Sequence, residues 1–138
     1  MLFDVGRVAR GSLEVVVRYA LLLYAAPDAQ AETSAAGEGV FDNWADYTEA
    51  LKEAGVLLGA QQLQVVDTAT TVRLRGGERL LTDGPFVETK EHLLGFYLVD
   101  VPDLDTALDW AGRMPFIGFG TVEVRPVKVS TAWQAVLD

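Results

Sequence analysis

Two stretches of this chain carry apolar side chains on both faces of a strand, and they limit the fold more than any other feature. Residues 15–25 read VVVRYALLLYA and residues 93–101 read LLGFYLVDV. Their Val, Leu, Phe and Tyr content is typical of strands in the centre of a sheet. Such strands need one layer of structure above the sheet and another below it. The chain must therefore supply or recruit two covering layers.

Two helical patterns supply one of these layers. In residues 40–54 an apolar stripe recurs at three- and four-residue spacing, at Phe41, Trp44, Tyr47, Thr48, Leu51 and Ala54. Gly55 is a natural end for this helix. Residues 104–114 repeat the spacing after Asp103, a good N-cap, and Pro115 stops the helix.

The remaining segments have the features of strands. Residues 56–64 read as one strand, and residues 68–75 and 78–82 flank Gly76-Gly77 as a β-hairpin. Residues 121–127 alternate polar and apolar side chains. The order predicts an α+β fold, a ferredoxin-like βαββαβ arrangement with an inserted β-hairpin and both helices on one side. The uncovered sheet face then predicts a homodimer, packed sheet against sheet as a dimeric α/β-barrel.

Length and composition define the domain and exclude several classes of partner. We expect one domain over residues 15–129, with a flexible leader at 1–14, a long loop at 26–39 and a tail or short helix at 130–138. The net charge of −9 argues against binding to nucleic acid or to an anionic membrane. The sequence contains no cysteine, which fits a cytoplasmic protein. A single His rules out a multi-His metal site within one chain, although carboxylates alone can hold a hard cation. We expect neither a bound metal nor a cofactor.

The connection LTDGPFVETKEH, residues 81–92, concentrates the chemistry of the chain. Its Gly-Pro pair marks a turn, and short connections between strands commonly carry function. The predicted catalytic residues are Asp83, Glu88, Lys90 and His92, as proton donors, acceptors and an anion-binding group. Simpler roles are open for each: Asp83 capping the turn, Glu88 and Lys90 forming an exposed ion pair, and His92 lying half-buried at a strand start.

Aromatic residues are the candidates for binding a substrate. Trp44, Tyr47 and Phe96 are predicted to line a cavity between the sheet and the helices, and Phe86 in the loop completes the set. The alternative for Trp44 and Tyr47 is ordinary core packing.

Residues 82–91, TDGPFVETKE, resemble the YCII-related proteins, and specifically the subgroup named for its Asp-Gly-Pro-Phe motif. The likeness extends over about residues 19–127 and includes residues 54–57, 69–73, 95–99, 107–111 and 122–127. It implies a dimeric α/β-barrel of ferredoxin-like subunits. Members of this subgroup are often encoded beside sigma factors of the extracytoplasmic type.

Some YCII relatives resemble small enzymes that use a His–Asp pair, including a dehydrochlorinase of chlorinated hydroxyquinones. The position of their His falls near Trp44 in this chain, so that pair does not carry over. The predicted function is a small cofactor-independent enzyme that transfers protons in an elimination, isomerisation or cyclisation of a small organic molecule. The alternatives are a non-catalytic dimeric module that binds a ligand or a regulatory partner, in the setting of sigma factors, and an accessory subunit. A closed cavity with converging polar groups favours the enzyme, whereas a shallow apolar patch favours the binding module.

Overall fold

The computed structural model describes residues 17–26, 41, 43–87 and 89–128. In this part of the chain the elements are β1 (Val17–Ala25), α1 (Trp44–Glu53), β2 (Leu57–Gln62), β3 (Thr70–Arg75), β4 (Glu78–Asp83), β5 (His92–Val101), α2 (Leu104–Gly112) and β6 (Thr121–Pro126). The described residues therefore form a mixed α+β structure of two α-helices and six strands. The predicted leader, most of the 26–39 loop and the predicted tail lie outside the described residues.

Four of the strands form one sheet in the order β2-β5-β1-β6, and every neighbouring pair is antiparallel. The two strands predicted to be apolar on both faces, β1 and β5, occupy its centre, as the sequence indicated. The remaining strands, β3 and β4, pair with each other around Gly76-Gly77 in a separate two-stranded sheet. The predicted hairpin is therefore confirmed.

One face of the four-stranded sheet carries the core and both helices. Alternate residues of β1 are buried there, with Leu21 at its centre. From α1 the buried side chains are Tyr47 and Leu51, and from α2 they include Ala107 and Trp110. Burying a large apolar side chain stabilises a fold by about 1.5–3 kcal/mol, so this cluster is the main source of stability in the described chain.

The opposite face, called the far face below, is apolar along the two central strands, whereas β6 places Glu123 and Arg125 across from Leu22 and Ala20. Ala20 lies across from Leu98 in the strand register, and Leu22 lies across from Phe96. All four are partly exposed. At the end of this face Asp100 is buried, and it lies across from Arg18. The helices that the structure describes pack on the other side of the sheet.

Both helices begin at side-chain caps. In α1 the backbone N–H of Asp46 donates to Oδ1 of Asn43 at 2.8 Å, so the helix begins at Trp44 and the predicted start at residue 40 was wrong. In α2 the predicted cap is confirmed, because the backbone N–H of Thr106 donates to Oδ1 of Asp103 at 2.8 Å. A cap of this kind contributes about 1 kcal/mol.

The boundaries of α2 and β3 also differ from the prediction. The helix α2 ends at Gly112 rather than at residue 114, in keeping with the bias that Pro115 places on the residue before it. The strand predicted from residue 68 begins at Thr70, because Val66–Thr68 form a short 3₁₀ turn. In that turn the Thr68 hydroxyl donates to the carbonyl of Val65. No helix in the described part of the chain is long and apolar enough to cross a membrane.

Candidate functional site

A cavity of about 630 Å³ lies where the connection between β4 and β5 passes the end of β1. Its wall also includes the connection between β2 and β3. The lining residues are Tyr24, Leu63, Gln64, Val65, Val66, Thr68, Ala69, Pro85, Val87, Thr89, Glu91, His92 and Leu93. Eight of these residues are apolar or aromatic and five are polar, a mixture found in small-molecule sites. Seven of the thirteen are exposed, so the cavity is open to solvent. We call it the His92 cavity.

His92 is the only histidine of the chain and forms part of this wall. It is the first residue of β5 and lies across from Ala25, the last residue of β1. Just before this pair, the register between the two strands shifts at Leu23 and Tyr24. His92 is half-buried, and its backbone is held in the strand ladder. A proton-transfer group needs such a fixed position beside a cavity.

Two threonine hydroxyls hold Glu91 at the same wall. The hydroxyl of Thr121 donates to Oε2 of Glu91 at 3.2 Å. The hydroxyl of Thr89 donates to the backbone carbonyl of Glu91. Glu91 is exposed, so its carboxylate is accessible from solvent and from the cavity. The side chain and the backbone of this residue are thus both oriented by hydrogen bonds.

The Gly-Pro turn directs the chain from the hairpin to the cavity. Gly84 has φ of +99°, a conformation that side chains other than glycine rarely adopt. Its N–H donates to the carbonyl of Ala69 at 2.7 Å, and its carbonyl accepts from the hydroxyl of Thr71 at 2.8 Å. These bonds close the base of the hairpin and bring Pro85 and Ala69 to the cavity rim together.

A second, smaller cavity of about 230 Å³ lies under the edge of the sheet beside α1, and we call it the Trp44 cavity. Its lining residues are Leu23, Trp44, Ala60, Gln61, Gln62, Leu94, Gly95, Phe96 and Tyr97. The rings of Trp44 and Tyr97 are stacked, with centroids 6.2 Å apart and planes at 18°. Tyr97 and Thr48 share a hydrogen bond of 2.7 Å between their hydroxyls.

The phenols under the sheet stay protonated over the physiological range. Burial raises the pKa of Tyr97, and the hydrogen bond from Thr48 only partly offsets this. Burial raises the pKa of Tyr47 much further, and the neighbouring Tyr97 adds to the shift. The hydroxyl of Tyr47 donates to the carbonyl of Trp110 at 2.8 Å. Both phenols are therefore suited to hydrogen bonding rather than to acting as bases.

Comparison with known proteins places the chain in a family. Residues 17–131 match the model of the YCII-related domain, which is more than half of the chain. The chain belongs to the YCII-related domain family. An uncharacterized protein of Rhizobium meliloti (strain 1021) is 47% identical to it over 77 residues, which cover 54% of this chain and 62% of that relative. The chain thus aligns with less than two thirds of the relative's length.

In this YCII-related domain the four predicted catalytic residues do not share one site. His92 lines the cavity that bears its name. Asp83, at the end of β4, and Lys90 are exposed and do not belong to the lining of either cavity. Glu88 lies outside the described residues. Their catalytic roles stay predictions, and the geometry supports that of His92 most directly.

The predicted substrate-binding residues also lie at different places in the structure. Trp44 and Phe96 both line the Trp44 cavity, whose lining does not include His92. Phe86 is 66% exposed, and the guanidinium carbon of Arg73 lies 4.8 Å from the centre of its ring. Tyr47 is fully buried in the core cluster, the packing role that the sequence left open for it.

Several residues of the two cavities had no predicted role. Glu91 and Thr89 lie beside His92 in the sequence, and that proximity is the signal that could have found Glu91. Tyr24 was assigned only to the strand predicted over residues 15–25, and the register shift brings this end of β1 to the cavity. Gln61 and Gln62 were assigned only to the strand predicted over residues 56–64. Within the described ranges, no group of three or more His, Cys, Asp or Glu residues is placed to hold a metal ion.

Proposed function

We propose that this YCII-related domain is a small cofactor-independent enzyme that transfers protons on a small organic molecule bound in the His92 cavity. The observation that carries the proposal is the position of the chain's only imidazole on the wall of a largely apolar cavity. Histidine exchanges protons near neutral pH without further activation, which is why it is the commonest general acid or base.

The chemistry follows from the groups that face the cavity. The neutral imidazole of His92 takes a proton from an acidic C–H or O–H of the substrate and returns it at another atom, or passes it to a leaving group. Glu91, oriented by Thr121, accepts a hydrogen bond from a substrate hydroxyl. The apolar wall takes the carbon skeleton. Elimination, isomerisation and cyclisation are the reaction classes that need only these groups.

We further assign the chain to the subgroup with the Asp-Gly-Pro-Phe motif, since residues 83–86 carry that sequence and form the turn at the cavity rim. The strand order β2-β5-β1-β6, with each helix following one central strand, supports a ferredoxin-like arrangement. The apolar far face supports a homodimer packed sheet against sheet, the dimeric α/β-barrel. The absence of cysteine from the sequence supports a cytoplasmic location.

The test begins with a thermal-shift screen of small aromatic acids and hydroxyquinones, because a molecule that binds the folded state raises the melting temperature. Each binder is then incubated with the protein in D₂O, and NMR follows deuterium incorporation or product formation. His92→Gln should keep the thermal shift and lose turnover about 100-fold or more, the usual loss for a general acid or base. Equal rates in wild type and His92→Gln would remove His92 from the chemistry.

Lys52→Gln is the matched control, because Lys52 is an exposed residue of α1 that lines neither cavity. Its turnover should equal that of the wild type. Asp83→Asn and Lys90→Gln test two of the other predicted catalytic residues in the same assay. Loss of turnover in Asp83→Asn, with a normal melting temperature, would show that Asp83 takes part in the reaction. The connection between β4 and β5 would then have to rearrange so that Asp83 reaches the cavity.

A second candidate function, a non-catalytic ligand-binding module, is favoured by the Trp44 cavity. Its walls offer stacked aromatic rings and the amides of Gln61 and Gln62, groups that bind a planar ligand without transferring protons. If this is the function, some probes should raise the melting temperature of the wild type and of His92→Gln but not that of Trp44→Ala. None of these probes should be converted to a product. Conversion that depends on His92 would exclude it as the main function.

A further inference from the structure

The wall of the His92 cavity is unbalanced in charge. Among the lining residues that the structure describes, Glu91 is acidic and none is a lysine or an arginine. Lys90 precedes Glu91 in the chain, but it is exposed and lies outside the lining. The other polar groups of the wall are amide, hydroxyl and imidazole. The net charge of −9 on the whole chain has the same sign as Glu91, so the potential in the cavity disfavours an anion.

The carboxylate of Glu91 lies at the end of β1. Glu91 directly precedes β5, and its Oε2 accepts a hydrogen bond from the hydroxyl of Thr121, the first residue of β6, at 3.2 Å. In the sheet β1 lies between these two strands, and its residue Tyr24 pairs with both Leu93 and Thr121. The side chain of Glu91 therefore reaches across the end of β1 near Tyr24.

Tyr24 adds a second preference of the same sign. It is half-buried and lines the cavity. The face of a tyrosine ring attracts a cation, because the ring carries its negative charge density there. The apolar side chains of Leu93, Pro85 and Val87 belong to the same wall. A carboxylate, an aromatic ring and apolar side chains together suit an ammonium group attached to a hydrocarbon.

We propose that Glu91 determines the specificity of the His92 cavity by charge, and that the cavity takes small organic amines in their cationic form. Neutral molecules with a hydroxyl in the same place bind more weakly, and carboxylates bind most weakly. The inference rests on the proposed function, because it names the class of molecule that the cavity takes. The aromatic acids of the screen described above should accordingly be its weakest binders.

The test compares benzylamine, benzyl alcohol and benzoate, which share an aromatic ring and differ in charge. NMR titration follows the imidazole signals of His92, the only histidine of the chain, in protein without a histidine tag. The titrations are made at about pH 8, where benzylamine is a cation, benzoate is an anion and imidazole in water is neutral. The dissociation constant of benzylamine should be about tenfold lower than that of benzoate, because attraction and repulsion by an exposed charge each contribute a few-fold. That of benzyl alcohol should lie between them.

Two variants separate Glu91 from the overall charge. Glu91→Gln removes the charge and keeps an oxygen that can accept from Thr121, so it should abolish most of the difference between benzylamine and benzoate. The matched control is Glu53→Gln, which removes the same charge from an exposed position of α1 outside both cavities. It should keep the selectivity of the wild type. Added salt should reduce the selectivity of the wild type, because salt screens exposed charges.

Benzoate that binds as tightly as benzylamine overturns the proposal, and so does selectivity that survives in Glu91→Gln. An equal loss of selectivity in Glu53→Gln overturns the role of Glu91, because the overall charge then accounts for it. The proposal also fails if none of the compounds moves the His92 signals. These titrations measure binding alone, so charge selectivity can hold even where His92→Gln keeps full turnover. Failure here is therefore distinguishable from failure of the proposed enzyme.

Discussion

Gly95 shows at the residue scale how closely β2 and β5 approach beside the Trp44 cavity. A Cβ added to Gly95 would lie 2.5 Å from the carbonyl oxygen of Gln61. That oxygen belongs to the backbone of a paired strand and has no freedom to move away. Glycine is therefore required for its lack of a side chain, and the strand register is what imposes the requirement.

Replacing Gly95 by Ala should consequently destabilise the fold by about 1–3 kcal/mol, the usual range for an added group that forces a backbone shift. Urea unfolding followed by fluorescence measures the change. Gly59→Ala is the matched control, since Gly59 is also in the β2–β5 pair and has open space at the position of a Cβ. Equal stability of the two variants would contradict the close approach.

At the scale of the element, α2 owes its start to Asp103. The side chain accepts from both the backbone N–H and the hydroxyl of Thr106, at 2.8 Å and 2.7 Å. These hydrogen bonds hold the pKa of Asp103 below its ordinary value of 3.8. Because folding lowers the pKa of Asp103, its ionised carboxylate stabilises the fold in full at pH values above the pKa that Asp103 has in the unfolded chain. This stabilisation is lost as the pH falls through the pKa of Asp103 in the folded chain.

The expected outcome is that Asp103→Asn keeps the cap at neutral pH but removes this acid sensitivity, since Asn caps helices as well as Asp does. The wild type should lose stability relative to the variant between about pH 5 and about pH 2, the range over which such a carboxylate is protonated. Urea midpoints at several pH values give the comparison. A difference that stays constant with pH would show that Asp103 does not contribute in its charged form.

The far face of the sheet belongs to the scale of the whole molecule. Leu22 and Leu98 lie on it beside Phe96, and the described helices cover only the opposite face. An apolar surface along the two central strands favours association with a second copy.

Light scattering should therefore give the wild type twice the mass of the 15.0 kDa chain at micromolar concentration. Leu98→Arg places a charge on the far face, and its mass should fall to that of the monomer because the charge would be buried without a partner. Leu108→Arg, at an exposed position of α2, should leave the dimer intact. A monomeric wild type would contradict the proposed homodimer in which two sheets pack face to face.

Local patterns in the sequence determined which segments form the two central strands, where the hairpin turns and how α2 begins. Each of these depends on residues that are neighbours in the chain: alternating or continuous apolar runs, the Gly76-Gly77 turn, and the side chain of Asp103. The start of α1 was missed because Asn43 was not recognised as a cap, although its type and position would have allowed it. Such features can be read without tertiary structure because their energies are local.

Only the tertiary structure decided which candidate side chains meet. It separated His92 from Trp44 into two cavities and joined His92 with Glu91 and Tyr24. These groupings depend on the register of β1 against β5 and on the shift in it between Leu23 and Tyr24. A change of one residue in register moves a side chain to the other face of the sheet. Register is set by packing between distant segments, so no local pattern could have placed Tyr24 beside His92.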